Sequence, residues 1–441
     1  MLISSPQSVA VTGGLLGQVV LMSTVLIFLT RMWQHDVWAV SNGRVCRKRG
    51  LVNLSRIDID THMLTAAETI RPVWLAIFGA AQVELRAAAP GEKKHISVVL
   101  KKDRAARLCD TVMPFCDGEE EADEYAATMR PVAIMAASDS NFALGLLLLI
   151  PLVGQIGNAL GRDFRTQLWD EISGGAVEAL PWVPPPFVWV SVLLALGWLG
   201  HFFRNLLVYG NHRTIRRGRT TLLAGGVITR RTVRVPDRAV SALEIRQTLM
   251  MRILGRKSCW MLIQGFTNGK HCCLLPAARE SDMTDAVGRM FPCAGGGGAS
   301  VSPGVQERRK YYVIHFVLAA GVVAAWAALA LFVSHTAALN IIGGSVLAAV
   351  CWSAAVGVMA SGAAQIHLTG DSVRIVGRRG MTVISLRVFR GMVGEVRVRQ
   401  NIFRRMAGLC DVSIRPKGFR KGVVCRFLPL ERAMEIAGRL A

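Results

Sequence analysis

The sequence predicts a polytopic α-helical membrane protein that carries three small β-rich modules in the water phase. Five runs of the chain are long and apolar enough to cross a bilayer as helices. Basic blocks lie between these runs, and in them apolar residues alternate with polar ones. Only 19% of the 441 residues are charged, which argues against a wholly soluble protein because soluble domains carry roughly 25%.

Each predicted span offers about the 20 apolar residues that a helix needs to cross the hydrocarbon core. The second span is the least regular, because it contains Pro151, Gln155 and Asn158. The first span lies within residues 1–30, where the apolar run extends from Val9 to Thr30. The other predicted spans are 142–160, 187–208, 311–333 and 341–364.

The distribution of Lys and Arg predicts how these spans are oriented. Every block rich in Lys and Arg follows span one, span three or span five, whereas the remaining connections hold few basic residues or none. Since basic residues accumulate on the cytoplasmic side, we expect the N-terminus outside and the C-terminus in the cytoplasm. All three β-rich modules then face the cytoplasm.

The three basic blocks resemble one another in their apolar pattern. Apolar residues recur with a period close to two, Gly and polar residues interrupt the runs, and block two and block three each end in an Ala-rich segment. This pattern predicts a small antiparallel sheet followed by a helix. The segments are block one at 31–130 with an acidic tail, block two at 209–292, a Gly/Ser/Pro-rich basic linker at 293–310, and block three at 365–441.

A glycine aligns the three blocks. Matching Gly255 with Gly408 brings Arg252 onto Arg405, and Gly79 takes this position in block one, which is a diverged copy. Each glycine lies between two strand-like runs. A turn with positive φ is the structural explanation, because glycine adopts that conformation without a Cβ clash.

Block two contains a pattern that resembles a known family. The pattern is G-x-x-x-R-R, then V-P-x-R, then S-x-x-x-x-x-Q-x-x-x-x-R-x-x-G, formed by Gly226, Arg230, Arg231, Val235, Pro236, Arg238, Ser241, Gln247, Arg252 and Gly255. With the flanking spans, it resembles the membrane-flanked bacterial pleckstrin-homology-like (PH-like) family, YdbT-like proteins in particular. The likeness is good over block two, fair over block three and weak over block one. It implies a seven-stranded bent sheet with a C-terminal helix for each block, in the bacterial cytoplasmic membrane.

No catalytic or metal-binding pattern occurs in the sequence. The glycine run at 295–298 lacks the Lys-Ser/Thr of a phosphate loop, and the His and Cys residues show no metal-ligand spacing. We therefore expect no enzymatic activity, no cofactor and no metal. Nucleic-acid binding is not expected either, because few aromatic residues and no recognised motif accompany the charge.

The charge distribution indicates an anionic partner. Residues 204–310 carry a net charge of +13 and the tail after residue 364 carries +11, whereas 31–130 carries +1. Positive-inside topology explains basic residues close to the spans, but many arginines lie deeper in the blocks. Basic modules at an anionic leaflet gain about 1 kcal/mol per Lys or Arg. The candidate contacts for lipid or partner are Arg230, Arg231, Arg234, Arg252, Arg378, Arg379 and Arg405.

Three functions remain open from the sequence. The preferred one is a non-enzymatic integral membrane protein whose PH-like modules bind anionic lipids or scaffold protein partners, including further copies of itself. The alternative is a transport or envelope-stress and antimicrobial-resistance component in which the helical bundle is the active part. The third is a membrane-bound enzyme without a recognisable motif.

Overall fold

The computed structural model describes residues 6–49, 54–88, 95–115, 123–138, 185–265, 272–291, 299–332 and 337–440. Its helices are α1 (Pro6–Gln34), α2 (Val73–Ile77), α3 (Lys102–Val112), α4 (Met129–Ser138), α5 (Pro185–Tyr209), α6 (Leu249–Ile253), α7 (Glu280–Met290), α8 (Val305–Phe332), α9 (Ala337–Ala363), α10 (Ile402–Met406) and α11 (Leu430–Leu440).

The strands of the described residues form four antiparallel sheets. They are β1 (Val37–Ser41), β2 (Arg44–Arg49), β3 (Ser55–Asp60), β4 (Leu64–Arg71), β5 (Ala80–Ala87), β6 (His95–Lys101), β7 (Asp123–Ala126), β8 (Arg213–Arg217), β9 (Thr220–Gly225), β10 (Arg230–Pro236), β11 (Val240–Thr248), β12 (Arg256–Ile263), β13 (Cys272–Arg279), β14 (Ala299–Val301), β15 (Gln365–Leu368), β16 (Ser372–Arg379), β17 (Thr382–Phe389), β18 (Val393–Arg399), β19 (Leu409–Pro416) and β20 (Val423–Pro429).

The same succession of elements occurs in each block. Three strands, a 3₁₀ turn, a strand, a five-residue helix, two strands and an eleven-residue helix follow one another. The five-residue helices are α2, α6 and α10, and the eleven-residue helices are α3, α7 and α11. Gly79, Gly255 and Gly408 each follow the five-residue helix, with φ of 62°, 62° and 65°. In each block this left-handed residue redirects the chain into the next strand.

The sheets do not follow the block boundaries. The strand orders are β1-β2-β3, then β6-β5-β4-β10-β9-β8-β7, then β13-β12-β11-β17-β16-β15-β14, and finally β18-β19-β20. β4 of block one therefore pairs with β10 of block two, and β11 of block two pairs with β17 of block three. The expectation that each block forms its own seven-stranded sheet is corrected, because the strands of one block complete the sheet of the next.

The two pairings between blocks have the same register. At junction one, the contact of β4 with β10, Glu68 lies opposite Val233. At junction two, the contact of β11 with β17, Glu244 lies opposite Leu386. Both glutamates occupy the fifth position of their strand, and both opposing residues lie three positions before the end of theirs. Residues of the two junctions can therefore be compared position by position.

The predicted polytopic helical membrane fold is wrong. Within the described residues, the one segment long and apolar enough to span a bilayer is Val305–Leu329 in α8, with a mean hydropathy of 2.0. The helices α1, α5 and α9 form near the predicted spans, but the described apolar runs of α1 and α9 are shorter, at Gly17–Phe28 and Val350–Ala363. The prediction relied on the length of uncharged runs, but such a run can also form a helix that packs into a core. Met359 and Ala360 of α9, for example, lie in the core of block three. The predicted span 142–160 lies outside the described residues.

Two predicted boundaries also shift. Part of the acidic tail of block one forms β7, in which Asp123 pairs with Arg216 of block two. The following helix α4 packs on β13, so residues 123–138 belong structurally with block two. The predicted linker contributes β14, which pairs with β15 of block three. A short strand ahead of block two and another ahead of block three thus each close the outer edge of a shared sheet.

Gly377 gives a first test of this architecture. A Cβ at this position of β16 would lie 2.1 Å from the Val424 carbonyl oxygen of β20, so only glycine lets the two strands approach. We expect Gly377→Val to lower the free energy of unfolding by about 3 kcal/mol through overpacking. The matched control is Gly370→Val, because a Cβ there meets no atom within 4 Å. Chemical denaturation of both variants checks this, and equal losses would contradict it.

Candidate functional site

A basic groove of about 520 Å³ lies on the sheet of block three, along β18, β19, β20 and the end of β16. Eight cationic side chains and two carboxylates line it. The cations are Arg378, Arg379, Arg397, Arg399, Arg415, Arg420, Lys421 and Arg426, and the carboxylates are Glu395 and Asp411. We call this surface the basic groove.

Strand alternation explains why these charges gather on one face. In β19 the side chains of Cys410, Val412 and Ile414 are buried in the core of block three. The intervening residues Asp411 and Arg415 point to the groove. One face of this three-stranded sheet therefore belongs to the core, and the other presents charge to solvent.

The two carboxylates of the groove are already engaged. Glu395 pairs with Arg397 at 2.5 Å and with Arg415 at 2.8 Å. Asp411 pairs with Arg404. Five groove cations have no carboxylate within 4 Å among the residues that the structure describes, namely Arg378, Arg399, Arg420, Lys421 and Arg426. The groove thus retains several positive charges that an external anion can neutralise.

The groove lies at the base of the helix pair α8 and α9. The Tyr311 hydroxyl near the start of α8 donates to the Arg426 carbonyl oxygen and accepts from the Arg426 amide, both at 2.9 Å. The Arg378 guanidinium donates to the carbonyl and hydroxyl oxygens of Ser353 in α9 at 3.1 and 2.7 Å. Desolvation, followed by the charge of Arg426, lowers the pKa of Arg378. An anion near this pair would stabilise the charged guanidinium.

The three five-residue helices present apolar side chains to solvent. In α10, Ile402, Phe403 and Met406 are 77%, 81% and 84% exposed. The equivalent residues of the other blocks are also exposed: Ile253 in α6 reaches 76%, and Ile77 in α2 also reaches 76%. We call these helices the apolar tips. Soluble surfaces rarely repeat such exposure, which is typical of contact with a membrane or partner.

The α10 tip is connected to α8 through aromatic contacts. The Arg404 guanidinium lies 5.0 Å from the centre of the Phe427 ring, and that ring lies 5.2 Å from the ring of Tyr311. The α6 tip contacts α9. Two of the apolar tips therefore lie near the apolar helix pair, and the α10 tip also reaches the basic groove through the pair of Arg404 with Asp411.

The structure divides the arginines predicted from the sequence among three places. At junction one, Arg231 pairs with Glu68 at 2.5 Å and Arg234 pairs with Asp110 at 2.5 Å, while Arg230 is exposed. These ion pairs join two blocks, so their charges are partly neutralised. The structure does not bring junction one together with the basic groove.

The remaining predicted arginines lie closer to the groove. Arg252 and Arg405 are exposed on the tips α6 and α10, and both Arg378 and Arg379 line the groove. The sequence prediction missed the other six groove cations. Alternating basic residues in the string VRVRQ (396–400) were the available signal, because period-two charges share one face of a strand.

Comparison with known families adds one result. A family model described as a bacterial PH domain matches residues 313–441. The match covers block three, most of α8 and all of α9, and it confirms the predicted resemblance for this part of the chain. No curated protein and no solved structure matches the chain. A bacterial PH domain suggests the binding of a lipid or a protein.

Proposed function

We propose that the protein is attached to a bacterial membrane through α8 and binds anionic lipid headgroups in the basic groove of block three. The observation that carries this proposal is the groove itself, where cations without a carboxylate partner in the described part of the chain lie at the base of an exposed apolar helix. Each Lys or Arg close to an anionic leaflet contributes about 1 kcal/mol. YdbT-like character, proposed for the whole chain, is compatible with this arrangement.

The apolar tips support the same orientation. Ile402 and Phe403 offer apolar surface beside the cations Arg404 and Arg405, a combination that suits the boundary between headgroups and acyl chains. Contact with a bilayer would bury the tips while the groove faces the headgroups. A protein partner could use the groove charges, but the three repeated apolar tips favour a bilayer.

Lipid selectivity of the full chain tests the proposal. The chain would be purified from micelles that contain equal phosphatidylcholine and phosphatidylglycerol, and the retained lipids quantified by mass spectrometry. We expect enrichment of phosphatidylglycerol in the wild type. In the variant Arg399→Gln/Arg420→Gln/Lys421→Gln, the enrichment should fall at least tenfold. Three cations that contribute about 1 kcal/mol each correspond to roughly 100-fold in binding affinity, and screening by salt reduces this factor.

The matched control removes three exposed cations from α3 instead, in the variant Lys102→Gln/Arg104→Gln/Arg107→Gln. This variant has the same net charge as the groove variant and should retain the enrichment. An equal loss in both variants would show that only total charge matters. An unchanged lipid ratio in the groove variant would contradict lipid binding in the groove and leave a protein partner.

A further inference from the structure

A second cavity, of about 270 Å³, lies at junction two beneath α7. Strands β11, β12, β16 and β17 form its floor, and α7 covers it. Three cations line it, namely Lys257, Arg374 and Arg387, with Glu280 as the one carboxylate among the described lining residues. It shares no lining residue with the basic groove.

The cavity contains more cationic side chains than carboxylates that could pair with them. Glu280 pairs with Lys257. Arg374 donates from Nε to the Ser385 hydroxyl at 2.9 Å. Neither Arg374 nor Arg387 lies within 4 Å of a carboxylate oxygen in the part of the chain that the structure describes. Two arginine charges therefore share one cavity without an anion of their own.

In junction one, the arginine at the position equivalent to Arg387 is paired with a carboxylate. Arg387 follows Leu386, which lies opposite Glu244, just as Arg234 follows Val233, which lies opposite Glu68. The two arginines are thus equivalent. In junction one, Arg234 pairs at 2.5 Å with Asp110 of α3.

The carboxylate of junction one has no counterpart on the second helix. Asp110 is the ninth residue of α3, and the ninth residue of α7 is Gly288. Gly288 lines the cavity, and a Cβ built on it would meet no atom within 4 Å. Junction two therefore has an additional arginine, Arg374, and lacks the carboxylate.

Electrostatics favours an anion at this position. Burial lowers the pKa of Arg374 and of Arg387, and the charge of Arg374 lowers the pKa of Arg387 further. Burial disfavours the charged guanidinium in both cases, and the charge of Glu280 offsets this effect on the pKa of Arg374 only in part. Arginine presents N–H groups in a fork that matches phosphate oxygens. Because pockets for drug-sized ligands begin at about 300 Å³, this cavity suits a small anion.

We propose that junction two binds a phosphate group between Arg374 and Arg387, in the place that the Asp110 carboxylate takes in junction one. Inorganic phosphate and the phosphomonoester of a lipid headgroup share this chemistry. Ala363 at the end of α9 also lines the cavity, so a lipid headgroup at the base of the helix pair would lie next to it. Both arginines belong to block three, and Lys257 of block two lines the same cavity, so the bound phosphate would lie between blocks two and three.

Thermal unfolding of the full chain in detergent tests this site. The probes are inorganic phosphate and, in a second arm, a short-chain phosphatidic acid, each against chloride at equal ionic strength. We expect a saturable rise of several degrees in Tm for the wild type with at least one probe, since a ligand that binds only the folded state stabilises it. A response to both probes identifies the phosphate group as sufficient, whereas a response to phosphatidic acid alone identifies a headgroup site.

Two variants decide between this site and a general effect of charge. Gly288→Asp supplies the carboxylate internally, so it should raise Tm without phosphate and abolish the response to both probes. Gly288→Asn, of the same size but neutral, should retain the response. Arg387→Gln should weaken the apparent affinity at least tenfold, whereas the groove variant Arg399→Gln/Arg420→Gln/Lys421→Gln should leave it unchanged.

Either of two results would overturn the proposal: a full response in both Gly288→Asp and Arg387→Gln, or no response of the wild type to either probe. Because the groove variant is measured in parallel, failure of this site and failure of the groove proposal are distinguishable.

Discussion

Replacing Glu68 with Ala should lower the free energy of unfolding by about 3–5 kcal/mol, which is the cost of leaving buried charges without their partner. Glu68 is 1% exposed, and its carboxylate pairs with Arg231 at 2.5 Å and with Arg86 at 3.4 Å. Since Arg231 belongs to block two and Glu68 to block one, the substitution also weakens junction one. Chemical denaturation of the full chain measures the loss.

Two controls separate buried charge from charge in general. Glu435→Ala removes an exposed partner of Arg439 and should cost less than about 1 kcal/mol. The double variant Glu68→Leu/Arg231→Leu replaces the pair by apolar side chains and should regain much of the stability. A loss for Glu68→Ala no larger than that for Glu435→Ala would show that junction one does not depend on this pair.

A photoreactive phenylalanine at position 403 should form at least tenfold more phospholipid adduct than the same group at position 434, when the full chain is held in bilayer nanodiscs. Phe403 is 81% exposed on the α10 tip, and fully burying such a side chain contributes about 1.5–3 kcal/mol. Met434 on α11 is also exposed, at 55%, and serves as the matched position. Mass spectrometry of the adducts gives the ratio.

Substitution of Ile402, Phe403 and Met406 by Ser tests whether the tips matter beyond contact. Because these side chains are exposed, the stability of block three should change little. Adducts from a probe in the equivalent tip, at Ile253, should persist, since each block has its own tip. Equal adduct yields at positions 403 and 434 in the wild type would exclude a bilayer contact at α10.

The basic groove and the junction-two cavity lie on equivalent strands in the same succession of elements. Within the described residues, β18 lies at the edge of the three-stranded sheet β18-β19-β20, and Glu395, Arg397 and Arg399 of this strand line the basic groove. At junction two, the equivalent strand β11 is paired with β17, and Glu244 becomes 1% exposed. Equivalent strands of two blocks thus differ in whether a strand of another block pairs with them.

The sequence alone determined the local features of this protein. Period-two apolar residues predicted strands, because alternate side chains point to opposite faces. Gly79, Gly255 and Gly408 marked a left-handed turn in each block, since glycine tolerates positive φ. The bacterial PH-like character of block three also followed from sequence pattern. Sequence did not determine the fold class, because uncharged length does not distinguish a membrane span from a helix end buried in a core.

The tertiary structure alone decided which strands pair and which charges meet. In the backbone pairing of β10 with β4 at junction one, Arg230 lies opposite Arg71. No local period in the sequence indicates a partner strand that is so distant along the chain. The groove brings Arg378 of β16 beside Arg426 of β20, which the sequence predicted only in part. Asp110 and Gly288 can be recognised as equivalent positions only from the structure, in which their helices lie over equivalent arginines of the two junctions. Local alternation fixes the apolar face of a strand, but its hydrogen-bonding edge accepts any strand of suitable register, so long-range packing selects the partner.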